Sequence, residues 1–183
     1  MERTIIAEGE LHEISCAVIA DGSSPAGEVF QLMGSGEWPD DADADQLPDD
    51  AQISDYDLFL VSLEYFSDYG VPHSPGVGMN ALTEGIWEFK IRRKRFSFFD
   101  TDGLGNKFHP RKFASPEEAD YPDDEHFWHV PCFQELLRIG HCFPKLGAKT
   151  TEPQKKRTLQ VRWEDLEHDR KEAQSRRSEA LDD

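Results

Sequence analysis

Apolar and polar residues alternate in residues 85–99, which read Gly-Ile-Trp-Glu-Phe-Lys-Ile-Arg-Arg-Lys-Arg-Phe-Ser-Phe-Phe. A period of two, with aromatic and β-branched side chains, predicts β-strands. The alternation breaks at Arg92-Arg93-Lys94, so we expect a tight turn there between two antiparallel strands.

Two more strands and a short helix are predicted from other segments. Residues 11–20 are β-rich and half alternating, and residues 135–143 resume a strand pattern. The short helix ends near Met33, with Ser24 as its N-cap and Pro25 in its first position.

Helical patterns also occur in the middle and at the end of the chain. Ser54 is the predicted N-cap of a second helix, which carries a row of apolar residues and ends at Gly70. A highly charged third helix is predicted from Glu152 or Pro153 onward.

The segments between these elements predict the domain organisation. Residues 34–52 are expected to form an acidic loop, residues 71–83 a Pro/Gly-rich connection, and residues 100–135 an irregular insertion. Residues 171–183 have almost no apolar side chains and predict a disordered tail. We therefore expect one domain over residues 1–170.

The charge of the 183-residue chain is distributed unevenly. The formal net charge is −17, and residues 1–84 hold 18 acidic residues and one basic, whereas residues 85–183 hold 19 of each. The acidic half weakens long-range attraction to nucleic acids, but local fields matter more at a site in a cleft. Basic clusters at 90–95 and 145–162 therefore keep a polyanion-binding site open as a hypothesis.

Composition also bears on location. No segment approaches the ~20 apolar residues of a membrane span, and no signal-peptide pattern opens the chain, so no membrane partner is expected. Cys16, Cys132 and Cys142 are odd in number and far apart. They predict reduced thiols, and hence a cytoplasmic protein.

The basic run of the hairpin has two interpretations. Five of the six residues from Lys90 to Arg95 are cationic. The charges either protect a solvated edge hairpin from aggregation, or form a phosphate-binding surface.

Metal binding is weakly indicated. Asp100, Asp102 and Gly103 resemble the start of a calcium loop, but the later ligand positions do not follow. A metal enzyme using His109, His126 and His129 is a minor alternative, because their spacing lacks a matching Cys/His pair. We expect no metal and no cofactor.

Two segments together carry a family resemblance. The strand Gly85-Ile86-Trp87-Glu88-Phe89-Lys90-Ile91 resembles the Gly-Leu-Trp-Glu-Leu-Arg-Ile strand of HigB-like toxins, the phage-derived branch of the RelE superfamily. Residues 138–145, followed by Lys149-Thr150 and Pro153, are similar to that family's third core strand and its Phe-x-Lys-Lys-Thr-x-Lys-Thr-Pro loop. The resemblance covers residues 11–33, 54–99 and 136–168.

The resemblance implies an α+β fold of RelE type. Its parts are a small antiparallel sheet with two N-terminal helices packed on it, a long insertion between sheet strands, and a charged C-terminal helix. It also implies a metal-independent endoribonuclease that cleaves mRNA, often on the ribosome. A cognate antitoxin protein, typically of helix-turn-helix type, would neutralise it.

The resemblance also assigns roles to individual residues. Lys90 takes the place of the family strand's Arg, Arg92 and Arg95 lie near it on the hairpin, and Lys145 matches a lysine of the later loop. His141 is the nearest titratable candidate for proton transfer, although a packed strand histidine is the alternative. The expected catalytic set is Lys90, Arg92, Arg95, His141 and Lys145, and the expected RNA contacts are Arg93, Lys94, Lys149 and Thr150.

Three departures from the family pattern support a different hypothesis. Ser97 stands where the family repeats an Arg, Leu146 replaces the second Lys of the loop motif, and the insertion of about 35 residues exceeds ordinary connections. The alternative is a non-catalytic RelE-like binding protein, a phage or mobile-element regulator or inhibitor that acts through its acidic surface.

Overall fold

Three helices and eight strands make up the computed structural model, which describes residues 3–38, 48–72, 77–112, 130–145 and 147–182. The helices are α1 (Pro25–Gly34), α2 (Asp49–Tyr69) and α3 (Glu152–Asp182). The strands are β1 (Ile5–Glu8), β2 (Glu13–Cys16), β3 (Gly78–Thr83), β4 (Ile86–Ile91), β5 (Lys94–Thr101), β6 (Arg111–Lys112), β7 (Pro131–Cys132) and β8 (Leu136–Pro144).

Six strands form one mixed sheet in the order β1-β2-β8-β5-β4-β3. All neighbours are antiparallel except β2 and β8, which run parallel. The α+β class is therefore confirmed, whereas the expected purely antiparallel sheet is not. The short strands β6 and β7 pair separately, within the described parts of the insertion.

One face of the sheet is covered by α1 and α2, because alternate strand residues there are large and apolar. Trp87, Phe89 and Ile91 of β4 point to this side, and Phe96 and Phe98 of β5 lie opposite them. Rings stack tightly in this layer; the centroids of Phe89 and Phe98 are 4.1 Å apart.

The other face carries α3, which packs across β8 and β5. A small apolar cluster of Ala17, Ile86, Phe99 and Val161 joins the helix to the sheet. Gly140 permits this close approach, since an added Cβ would lie 3.3 Å from a methyl group of Val161. Lys90, on the same face, is half-buried, so part of this face stays open to solvent.

Several predicted boundaries are confirmed. The Ser24 side chain caps α1 by accepting a bond from the Gly27 amide at 3.2 Å. Gly70 ends α2 with a left-handed φ of 68°. The β4–β5 hairpin turns at Arg92 and Arg93, with Arg92 at φ 48°.

Other expectations are wrong. Helix α2 begins at Asp49, so Ser54 lies inside it and caps nothing. Strand β3 occupies part of the expected 71–83 connection. Helix α3 continues to Asp182 where a disordered tail was expected, with ion pairs such as Arg176–Glu172 one turn apart along it.

Residues 39–47 of the expected acidic loop 34–52 and residues 113–129 of the insertion lie outside the described residues. The loop is also shorter than expected, because α1 ends at Gly34 and α2 begins at Asp49. Among the helices that are described, none combines the length and apolar character needed to cross a membrane.

Candidate functional site

Strand pairing brings polar side chains into two rows on the α3 side of the sheet. Lys90 of β4 lies opposite Arg95 of β5, and Arg95 lies opposite Phe143 of β8. Two residues earlier on β4, Glu88 lies opposite Ser97 of β5. The row of Glu88 and Ser97 continues to His141 of β8, which contacts Gln154 in the first turn of α3.

Three cations converge at this end of the sheet. The side chain of Lys90 is half-buried and extends over Gly78 of β3, where an added Cβ would lie 3.4 Å from its Nζ atom. Burial lowers the pKa of Lys90, and so do the positive charges of Arg95 and Lys145. Lys145 is tied to the hairpin, since its amide donates to the Arg93 carbonyl at 2.8 Å. A phosphate placed here would meet positive charge from three strands or strand ends.

Arg95 is held in place before any ligand arrives. One terminal nitrogen of its guanidinium donates to the carbonyls of Arg92 at 2.7 Å and Lys94 at 2.8 Å. Its side chain is 11% exposed, and burial lowers its pKa against the opposing effect of Glu88. A fixed guanidinium loses little entropy when it binds an oxyanion.

Glu88 lies two residues before Lys90 on β4 and faces the same side of the sheet. It is 2% exposed, and its Oε1 is 3.6 Å from the Nε atom of Arg95, which is beyond hydrogen-bond length. The other oxygen, Oε2, has no hydrogen-bond partner. The negative charge of Glu88 acts to raise the pKa of both Lys90 and Arg95. It therefore offsets the repulsion between these two cations.

His141 is positioned by the start of α3. Its Nε2 atom lies 2.6 Å from Oε1 of Gln154, so the ring donates its Nε2 proton to the amide oxygen in this arrangement. The imidazole also stacks on Phe143, with centroids 5.3 Å apart. The residue is half-buried.

Ser97 links β5 to β8 and is fully buried. Its buried hydroxyl accepts from the His141 amide at 2.8 Å and donates to the His141 carbonyl at 2.9 Å. This serine therefore fixes β8 against β5 at the position where the resembled family repeats an arginine.

The basic run is split between the two faces of the sheet. Lys94 is fully buried on the α2 side, where its Nζ atom lies 2.9 Å from Asp55 and 5.4 Å from the ring centre of Trp38. Arg92 contacts the same carboxylate at 3.1 Å. Lys94 cannot contact RNA in this position, and Arg92 points away from the Lys90 cluster.

The remaining expected residues lie on loops. Arg93 is exposed at the hairpin turn, and Lys149 and Thr150 lie between β8 and α3. Leu146 lies outside the described residues. Of the expected catalytic set, Lys90, Arg95 and Lys145 therefore interact electrostatically, and His141 lies on the same face of the sheet in β8. Arg92 lies against Asp55 instead.

Two residues of this site, Glu88 and Gln154, are not in the set expected from the sequence. Glu88 shares the period-two face of Lys90, so alternation alone could have placed it there. Gln154 carries no such signal, because its contact with His141 depends on how α3 docks.

Possible metal ligands lie elsewhere. Among the described residues, His168, Asp169 and Glu172 place one ligand atom each within 4.8 Å of one another. Arg3 already pairs with Asp169, and Arg176 with Glu172, which disfavours a dication there. His126 and His129 lie outside the described residues.

The Asp100–Gly103 turn is organised by its own hydrogen bonds. Asp102 accepts from the amides of Leu104 and Asn106 at 2.9 and 3.1 Å. Asp100 is buried, and the Gln134 amide donates to it at 3.3 Å.

No protein-family model, curated protein or solved structure matches this chain.

Proposed function

We propose that this protein is a toxin-type endoribonuclease that binds an RNA phosphodiester at Lys90, Arg95 and Lys145. The observation that carries the proposal is the electrostatic coupling of Lys90 to Arg95 and Lys145 on the sheet face that also carries His141. The resemblance of residues 85–91 and 138–153 to HigB-like toxins supports the same function.

The chemistry uses the RNA's own 2′-hydroxyl. His141 accepts the 2′ proton, and the 2′ oxygen bonds to phosphorus while the bond from phosphorus to O5′ breaks. Lys90 donates a proton to O5′, a role for which a lysine with a lowered pKa is suited. The products are a 2′,3′-cyclic phosphate and a 5′-hydroxyl.

Charge stabilisation is the larger contribution. Arg95 and Lys145 would neutralise the oxygens of the pentavalent phosphorane, and preorganised charges of this kind commonly lower a barrier most. The negative charge of Glu88 would offset the repulsion between Lys90 and Arg95 before substrate binds. The reaction balances without a co-reactant, so we expect cleavage in the presence of EDTA.

The test is cleavage of a single-stranded RNA by purified protein, with the 2′,3′-cyclic phosphate identified by mass spectrometry. Lys90→Ala and His141→Ala should each slow cleavage by roughly 10²–10⁴-fold, the usual share of a proton-transfer group. Lys112→Ala removes an exposed cation on β6 and serves as the matched control. Wild-type rates in both site variants, with folded protein, would exclude the mechanism.

The cellular expectations follow from the same proposal. Induced expression should arrest growth and degrade mRNA, with cleavage enhanced on ribosomes. A neighbouring helix-turn-helix antitoxin should relieve the arrest.

The non-catalytic alternative has one observation in its favour. The buried Ser97 replaces an arginine of the family pattern, so the site holds one cation fewer. If the protein acts only by binding through its acidic surface, charge reversal in residues 40–50 should abolish function. Lys90→Ala and Arg95→Ala would then leave function intact.

A further inference from the structure

A second row of apolar side chains lies on the outer side of α2. Its members follow one another at intervals of three or four residues, so they share one side of the helix. This apolar row consists of Leu58, Val61, Tyr65 and Tyr69. Leu58 is 39% exposed, Val61 54% and Tyr69 49%, whereas Tyr65 is half-buried.

The apolar row is separate from the side of α2 that builds the core. That side presents Phe59, Leu63 and Phe66, each 0% exposed, and no member of the apolar row belongs to the core cluster of the described residues. The rings of Tyr65 and Tyr69 lie together, with centroids 4.5 Å apart. Exposed apolar residues that adjoin one another indicate an interaction surface, and tyrosine is enriched in protein interfaces.

Carboxylates run alongside the apolar row. Asp57, Glu64 and Asp68 are exposed, and each directly precedes a member of the row. One residue turns a helix by about 100°, so the three carboxylates form an acidic row along one flank. Among the described side chains of α2, only Asp55 is in an ion pair, so the charges of the acidic row are not balanced within this part of the chain.

These charges select the occupant. A second copy of the chain would bring two N-terminal halves together, and residues 1–84 of each hold 18 acidic residues against one basic, so the copies would repel. A helix with an apolar side and a flank of lysine or arginine complements both rows at once. Flanking charges select the partner in the same way when amphipathic helices pair.

From this arrangement we infer that the outer side of α2 docks a basic amphipathic helix of a second protein. The apolar side of that helix packs on the apolar row, and its cations pair with the acidic row. Helix α2 covers the sheet face opposite to the one that carries Lys90 and Arg95, so the docked helix leaves the candidate site open. The inference does not depend on the proposed function.

Two fluorescein-labelled synthetic peptides serve as probes for the full-length chain. Both have about 20 residues, enough for a helix in water, and the same numbers of leucine, lysine and alanine. One places leucine at helical intervals with lysine along the flank, and the other has a scrambled order. By fluorescence anisotropy, the amphipathic peptide should bind roughly tenfold more tightly than the scrambled one, the equivalent of one packed apolar anchor.

Single substitutions then locate the bound peptide. Tyr69→Ala should weaken binding of the amphipathic peptide by roughly 5- to 30-fold, and Tyr69→Phe should restore most of it. Trp163→Ala removes an exposed aromatic from α3 and is the matched control. Glu64→Gln should weaken binding by roughly 2- to 5-fold, the loss of one exposed ion pair, whereas Glu179→Gln near the end of α3 should not.

The outcomes decide between this partner and its competitors. Equal binding of the two peptides, or unchanged affinity in Tyr69→Ala, would show attraction by net charge alone and overturn the inference. Unchanged affinity in Glu64→Gln would remove the reason for a basic partner and would also overturn it; this variant tests the surface even if circular dichroism shows that Tyr69→Ala does not fold. A wild-type dimer that Tyr69→Ala dissociates without peptide would assign the row to a second copy. None of these outcomes involves RNA cleavage, so this inference and the proposed function fail separately.

Discussion

The buried position of Lys94 allows a direct test of whether the basic residues 90–95 are split between the two faces of the sheet. Its ammonium and the Asp55 carboxylate are each 1% exposed and 2.9 Å apart, under the ring of Trp38. Replacing Lys94 by Met keeps much of the side-chain volume and removes the charge. Asp55 then remains buried, with only Arg92 at 3.1 Å to balance it.

The expected cost follows from that geometry. Breaking a buried pair by removing one partner costs about 3–5 kcal/mol, because the remaining charge is desolvated without compensation. Arg92 remains near Asp55 in Lys94→Met, so this variant should lie near 3 kcal/mol. Asp55→Leu leaves Lys94 without a carboxylate and should lie near 5 kcal/mol. For a chain of this size, these losses lower Tm by roughly 6–20 °C.

Urea unfolding followed by circular dichroism measures these values, with Lys112→Met as an exposed control that should change stability by less than about 0.5 kcal/mol. The double variant Lys94→Met/Asp55→Leu should recover to within about 2 kcal/mol of wild type, since an apolar pair of similar volume replaces the ions. A cost below about 1 kcal/mol for Lys94→Met would refute the structural role. Lys94 would then be available to RNA after all.

Three further predictions concern other groups. Burial lowers the pKa of His12 below 6.5, although its hydrogen bond to the Gln134 carbonyl acts in the opposite direction. The unfolded chain therefore binds the proton first, and the free energy of unfolding falls as pH drops through 6.5. Urea titrations at pH 7.5 and 5.5 should show this loss in wild type and a smaller one in His12→Phe. Gln154→Glu places a carboxylate beside His141 and favours the protonated ring; the acidic limb of the cleavage profile should therefore move to higher pH, and an unmoved limb would separate this contact from catalysis. Gly105→Ala should destabilise the fold by about 1–3 kcal/mol in thermal unfolding, because Gly105 has a φ of 86° and an added Cβ would lie 2.5 Å from the Leu166 carbonyl oxygen; wild-type stability would contradict this close approach.

The hairpin shows what the sequence could predict. Alternation places Lys90 and Arg95 on one face and the aromatic side chains on the other, and the structure confirms the strands and the turn. Alternation does not identify Asp55, which lies 39 residues away, as the partner of Lys94. A buried ion pair between distant segments depends on the docking of α2, for which no local pattern exists.

Two other elements show the same limit. Strand β3 lies in a segment whose glycines and prolines predict a connection, and it forms because it pairs with the edge of β4. The helical, highly charged pattern from Glu152 or Pro153 onward predicts α3, but the approach of this helix to His141 depends on Gly140 and Val161 packing together.

The position of β8 in the sheet has a consequence for biosynthesis. This strand is the last to be translated, yet it lies between β2 and β5 and joins the two halves of the sheet. Contacts between such distant segments make folding slow. A nascent chain that still lacks this strand leaves β2 and β5 without their shared neighbour, so we expect ribosome-bound fragments to depend on chaperones until β8 has emerged.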